Sequence, residues 1–390
     1  MKVKPIVRKI VIYRIVCFIL FLVIFARPTF LVYQQREKFF WPGYHLQYEA
    51  YRSTYYSSQY VQKKNPGIIP DETLTAFAGG IFLKGINPIL IVHDHPPLGR
   101  YIISLSIFLF DNANTIVIPL TIISVLGVFL IGRLCLNNSL LLSFIPLGIF
   151  INEPLFLGKF SYSPVLESVQ LPFIIFALYF FIKAITARKY FFWFLLTSLM
   201  LGFVISTRFF ILGAAELFSM MLYLLLQKNF DRRVIILFIL TLPLSLIVLI
   251  LSYIKTIQAG YSVMQVFSIQ KYILAYQQSK LINLFSFWDL ILFNRWHTWW
   301  ADQRIITDDT WILAWPIATV LTFINFILVA FRKLRLTESE KIIFLWVVTY
   351  SILLSIGNTT TRYFLPLLPF IYILAVSAVV KMINLYFDTD

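Results

Sequence analysis

Long apolar runs recur along the chain, and polar residues gather between them. Ten runs fall near residues 10–30, 115–134, 139–153, 169–186, 190–207, 209–226, 234–252, 311–331, 342–357 and 363–383. A helix needs about 20 mostly apolar residues to cross a bilayer, somewhat fewer where its ends lie in protein. Each run is therefore a candidate span, the third and ninth being the shortest. No repeat, coiled coil or low-complexity tract breaks the series, and no soluble domain is expected at either end. The pattern predicts an all-α polytopic membrane protein of about ten transmembrane helices, forming a single domain over residues 1–390.

Basic residues orient the predicted spans. With Lys2, Lys4, Arg8 and Lys9 placed inside, an alternating path puts Arg133, Arg188-Lys189, Lys228 with Arg232-Arg233, and Arg332-Lys333-Arg335 in cytoplasmic turns. This is the positive-inside bias. The path leaves two long segments on the extracytoplasmic side, residues 31–114 and 253–310. The first contains the run YIISLSIFLF, whose ten residues rise about 15 Å as a helix and fall short of a bilayer core about 30 Å thick. Residues 98–110 are therefore read as an interfacial or half-inserted helix that begins at Pro96-Pro97, since proline suits a helix start.

Composition agrees. The chain is 59% hydrophobic and only 13% charged, against about 25% charged in an ordinary soluble domain, and its mean hydropathy is +0.81. A net charge of +15 would otherwise point to nucleic acid, but the cytoplasmic turns account for much of it, so no nucleic-acid partner is expected. Cys17 and Cys135 lie in or beside apolar runs and imply neither a disulfide framework nor a zinc site. The N-terminal basic residues and the bulky apolar run after them read as an uncleaved signal anchor.

Against this oily background the stretch DETLTAFAGGIFLKGINPILIVHDHPPLGR, Asp71 to Arg100, stands out. Asp71-Glu72 opens it and His93-Asp94-His95 comes near its end, so ionisable groups flank an apolar segment. Ionisable residues kept beside a membrane-embedded region mark a functional site. Asp71 also precedes an apolar run at a position where Asp commonly caps a helix, a role compatible with chemistry. Glu72, its neighbour, points elsewhere on either a helix or a strand and is expected to support Asp71 or to touch an acceptor.

An acidic pair after the first span, followed by Asp94-His95-Pro96-Pro97-Leu98-Gly99, resembles the dolichyl-phosphate-mannose protein mannosyltransferases. These belong to the GT-C superfamily, which also holds the lipid A aminoarabinose transferases. The resemblance implies an integral membrane glycosyltransferase that takes mannose or a similar sugar from a polyprenyl-phosphate carrier and passes it to a protein, lipid or glycan hydroxyl on the extracytoplasmic face. Such a transfer needs a carboxylate to accept the proton of the attacking hydroxyl and positive charge at the departing phosphate. Asp71 matches the family's acidic position and is the candidate base, with Glu72 beside it. Asp94, His95, Arg100, Glu167, Arg208 and Arg362 are candidate substrate contacts, the guanidinium groups because they grip phosphate oxygens in two-pronged fashion. Glu167 occupies a short loop where the family usually carries Asp after Arg; here Ser163 and Pro164 precede it and Lys159 is the nearest base.

Some readings stay open. Asp71, His93, Asp94 and His95 have the chemistry of a divalent-metal site, and an orienting hydrogen-bond network is the other use of the same side chains. Asp289, Arg295, His297, Asp302, Arg304, Asp308 and Asp309, among Trp296, Trp299, Trp300 and Trp311, suit either a sugar or an interfacial belt. A polytopic transporter or lipid flippase is the alternative function. Such proteins place ionisable groups at midplane in broken helices and often show two related halves, neither of which this sequence displays.

Overall fold

The protein is described from a computed structural model, which covers residues 5–187, 190–227, 231–278, 283–298, 304–331, 334–357 and 360–387. It opens with α1 (Pro5–Gln34), followed by the short helices α2 (Arg36–Phe40), α3 (Tyr44–Tyr56), α4 (Asp71–Leu83) and α5 (Leu98–Phe110). Next come α6 (Val117–Cys135), α7 (Leu140–Ile151), α8 (Pro154–Ser161), α9 (Leu166–Ala187), α10 (Tyr190–Thr207) and α11 (Ile211–Leu226). The segments α12 (Arg232–Thr241) and α13 (Pro243–Ser252) run nearly end to end, and α14 (Ile254–Gln258), α15 (Val263–Gln278) and α16 (Ser286–Phe293) follow. A two-stranded ribbon, β1 (Trp296–His297) and β2 (Ile305–Ile306), precedes α17 (Ala314–Ala330), α18 (Glu338–Ser355) and α19 (Leu368–Phe387).

Every apolar run read from the sequence is helical, but the count of ten is not reached by length and composition. Among the described residues six helices are long and apolar enough to cross a membrane, with α12 and α13 together counted as one, and seven when the pair α7 and α8, bent by 56°, is taken as one span. α11 and α17 are only 16 and 17 residues long, and α18 opens on Glu338, Glu340 and Lys341. The bend has a local cause. Glu153 caps α8 by accepting from the Phe156 N–H at 2.8 Å, and its other oxygen takes the indole N–H of Trp315 at 2.8 Å. Asn152 beside it donates to the carbonyl of Ile24 at 3.0 Å, while Arg27 donates to the Asn152 carbonyl at 2.9 Å, which fastens α1 to the bend.

The segment between α1 and α6 folds on itself. Asn112, in the turn after α5, donates to the carbonyls of Lys38 and Trp41 at 2.9 and 2.8 Å. Tyr44 donates to the Ala76 carbonyl at 2.9 Å and Ser104 to that of Gly79 at 2.7 Å. The Asn112 bonds satisfy carbonyls at the end of α2, while Tyr44 and Ser104 tie α3 and α5 to carbonyls inside α4. α5 begins at Leu98 with Pro97 as its cap residue and runs 13 residues, about 20 Å and still short of a bilayer core, as its composition predicted. At the opposite end of the bundle, Lys381 in α19 bonds Glu340 and the Arg335 carbonyl. Lys381 lies thirteen residues beyond Leu368 in that helix, a rise of about 20 Å. That separates the Arg335–Lys381 end from the turn that precedes α19.

Candidate functional site

Four charged side chains from distant parts of the chain form one line. Arg208 follows the last turn of α10, Glu167 lies in the first turn of α9, Arg362 sits in the 3-10 turn Thr361–Phe364 before α19, and Asp71 is the first residue of α4. Arg208 Nη2 lies 3.0 Å from Glu167 Oε1, and the same oxygen is 3.5 Å from Arg362 Nε. Arg362 then donates through Nη1 to Asp71 Oδ2. Side-chain exposure runs 12%, 7%, 24% and 58% from Arg208 to Asp71, so Asp71 is the end open to solvent. Asp71 does not cap α4, because Pro70 holds the cap position. Its carboxylate projects from the first turn toward Arg362, while Glu72 lines a separate cavity with Lys38 and Tyr51.

The two guanidinium groups flank one aromatic ring. Tyr363 lies 5.1 Å from Arg208 and 5.5 Å from Arg362, measured from each guanidinium carbon to the ring centroid, within cation–π range. For Arg362, burial works against charge, but Glu167, Tyr363 and Asp71 together outweigh it and raise the guanidinium's pKa. Asp308 accepts from the Thr361 hydroxyl at 2.7 Å and so ties the second long loop to the turn that carries Arg362.

Beside Arg208 opens a cavity of about 300 Å³. His95, Gln170, Arg208, Tyr350 and Tyr363 mark its polar edge, and Leu212, Leu274, Leu353, Leu354 and Ile356 supply an apolar wall. One end offers a cation and the remainder offers hydrocarbon, which suits an amphipathic anion.

The His-Pro-Pro stretch behaves differently. Asp94 is buried and accepts from Arg100 Nη2 at 3.0 Å and from the Tyr60 hydroxyl at 3.1 Å. Burial pushes its carboxyl up, but Arg100, His95 and the two hydrogen bonds more than reverse this and hold it well below the usual carboxylate range. Arg100, expected to meet substrate, is 1% exposed and committed to Asp94. The reason is helical register: it falls in the first turn of α5 on the face packed into the protein. Gly99 beside it allows that packing, since a Cβ there would lie 2.8 Å from side-chain carbons of both Leu166 and Thr207. His95 lies 3.7 Å from Asp94 and also lines the cavity of Arg208. Burial drives its imidazole pKa down to about 4; Asp94 opposes this, while Arg208 and Arg100 add to it.

His93 packs its ring against Tyr272 of α15 at 5.3 Å. Among the described residues no group of three or more His, Cys, Asp or Glu comes together to hold a metal ion, and Asp71 meets Arg362 instead of the histidines. In the second long loop Trp299, Trp300 and Asp302 lie outside the described residues. Trp296 is buried, and Trp311 donates its indole N–H to the Ile291 carbonyl at 3.0 Å. Sequence reasoning missed Gln170, Tyr350 and Tyr363. The one available signal was that Tyr363 directly follows Arg362.

The fold and site describe a multi-pass membrane protein with a line of charges that ends at Arg208 on the edge of an apolar cavity, and part of the chain matches a known family. Residues 94–254 match the dolichyl-phosphate-mannose-protein mannosyltransferase family, so the resemblance read from the Asp94–Gly99 run is borne out. Two crystal structures of ArnT from Cupriavidus metallidurans share the fold. The apo form aligns at TM-score 0.56 with 14% identity, covering 87% of this chain and 60% of that one. The form bound to undecaprenyl phosphate aligns at TM-score 0.59 with 14% identity, covering 89% and 63%. The chain thus spans about three fifths of the ArnT chains it matches. A search of curated proteins finds no match.

Proposed function

We propose that this protein is a glycosyltransferase of GT-C type that moves a sugar from a polyprenyl-phosphate carrier to a hydroxyl acceptor. The observation that carries the reading is the line of charges from Asp71 through Arg362 and Glu167 to Arg208, which ends at the edge of an apolar cavity. In the proposed step Asp71 takes the proton of the acceptor hydroxyl as its oxygen bonds to the anomeric carbon. The bond from that carbon to the phosphate oxygen breaks, and the electron pair leaves with the lipid phosphate. Arg208 and Arg362 offset the charge that grows there. Glu167, held between two guanidinium groups, orients them and is not available as a nucleophile. A single displacement with one base inverts the anomeric centre.

The family match covers Asp94 to residue 254 and therefore includes Glu167 and Arg208 but neither Asp71 nor Arg362. Undecaprenyl phosphate in the ArnT structure supports a prenyl phosphate as the carrier. The positive-inside bias of the basic turns supports an extracytoplasmic site. The direct test is Asp71→Asn, which keeps shape and removes the base. With undecaprenyl-phosphate-linked sugars as donors, transfer should be abolished while the variant still binds undecaprenyl phosphate. Full activity in the variant removes Asp71 as the base, and solute accumulation in vesicles without any transfer would favour a transporter.

A further inference from the structure

A second cavity, about 460 Å³ in volume, lies against α2, α3, the first turn of α4 and the turn after α5. Its walls differ in kind from those beside Arg208. Trp41, Tyr44 and Tyr51 supply rings, while Gln47, Glu72 and Asn114 supply polar groups. Trp41 is 49% exposed, and its indole folds over Gly43, where a Cβ would lie 2.5 Å from the ring. Bare backbone at Gly43 is what lets the ring lie there. Tyr51 stacks on Tyr44 at 5.6 Å and donates its hydroxyl to Oε1 of the Gln47 side-chain amide, which leaves the Nε2 hydrogens of Gln47 to other partners. Asn114 is part of the same wall, its Nδ2 donating to the Lys38 carbonyl at 3.2 Å.

Charge selects among ligands. Glu37 and Glu72 outnumber the single ammonium of Lys38, which already donates to the Ser161 carbonyl. A phosphate or other anion is thus disfavoured, and the lining has none of the leucine and isoleucine side chains that wall the cavity beside Arg208. Flat rings that meet C–H faces, combined with carboxylate and amide groups that pair with hydroxyls, are the chemistry of a sugar ring. Glu72 lines this cavity and its neighbour Asp71 faces Arg362, so the first turn of α4 stands between this cavity and the Arg362 end of the line of charges.

We propose that this second cavity seats the sugar ring of a carbohydrate acceptor, with its hydroxyl offered to Asp71 across the first turn of α4. The proposal rests on the transferase reading above and names its acceptor class. The test places the full chain in lipid nanodiscs on an array of defined oligosaccharides and measures undecaprenyl phosphate binding on the same samples. Wild type should bind a set of neutral oligosaccharides. Trp41→Ala should weaken that binding about tenfold, as expected for loss of an aromatic contact, Gln47→Ala should weaken it too, and Trp41→Phe should retain most of it. Undecaprenyl phosphate binding should be the same in all three variants. Absence of neutral-glycan binding in a sample that binds undecaprenyl phosphate overturns this inference and leaves the transferase reading standing. Binding confined to phosphorylated glycans, or neutral-glycan binding unchanged in both Trp41→Ala and Gln47→Ala, overturns it as well. Glycan binding without undecaprenyl phosphate binding overturns the transferase reading instead.

Discussion

Arg208→Ala separates the charge of the proposed lipid-phosphate site from its hydrocarbon. Among the described residues lining the cavity, Arg208 carries the charge at neutral pH, because His95 is held neutral by a pKa of about 4. A hydrogen bond to a charged group contributes about 1.5–3 kcal/mol, so losing one such contact should weaken undecaprenyl phosphate binding about 10- to 150-fold. The opposing effect is on Glu167, which loses its partner at 3.0 Å but keeps Arg362 at 3.5 Å. The cost of breaking the pair should therefore stay below the roughly 3–5 kcal/mol of a fully orphaned buried charge, and the fold should survive. Binding of undecaprenyl phosphate and of undecaprenol, which lacks the phosphate, is measured in nanodiscs on wild type, Arg208→Ala and Arg208→Lys. Undecaprenol should bind alike to all three, and Arg208→Lys should fall between the others for the phosphate, since an ammonium makes no two-pronged contact. Equal loss of both lipids in Arg208→Ala, or loss of neither, would refute the assignment of Arg208 to the phosphate.

Two further outcomes follow from the same geometry. Gly99→Ala forces a methyl group into Leu166 and Thr207 and within 3.1 Å of the Thr207 carbonyl oxygen; it should lower stability by about 1–3 kcal/mol, read as a drop in Tm. His95 should make stability fall as pH drops from about 6.5 to 4: burial favours its neutral form in the folded protein, so its contribution is complete above the unfolded pKa of about 6.5 and is lost as pH nears about 4, up to about 3 kcal/mol in all. Asp94 is held well below the usual range and stays ionised through that window, so between pH 7 and 4 the Tm of wild type should fall relative to that of His95→Gln.

Helix positions were legible because a span must be apolar along its whole length, and composition alone reveals that. The half-length of α5 was legible for the same reason. Pairing between helix ends was not. Arg100, Arg208 and Arg362 look alike in sequence, each a guanidinium beside an apolar helix, yet Arg100 is turned inward onto Asp94 while the other two share Glu167. What separates them is rotation about a helix axis and the meeting of α9, α10 and the turn before α19, neither of which leaves a local signature. Glu167 was singled out only through a family position from which it departs, although it is the carboxylate that joins the two arginines. Tyr363 and Tyr350 were hidden by abundance, since 18% of the chain is aromatic and a functional ring has nothing to mark it.

The line of four charges also bears on how the proposed reaction would turn over. Two guanidinium groups and two carboxylates sum to zero, which keeps the site tolerable at a low-dielectric rim when no ligand is present. A phosphodiester donor would bring one negative charge, and bond breaking would concentrate further charge on the departing phosphate, where in the proposed step Arg208 and Arg362 would act most strongly. With Glu167 removed, the same arginines would present a net cationic pocket and hold the spent prenyl phosphate tightly. On the proposed mechanism, Glu167 buried between the two arginines would temper ground-state affinity for phosphate while leaving their positions fixed for the transition state. This is the direction in which binding energy raises turnover instead of trapping product.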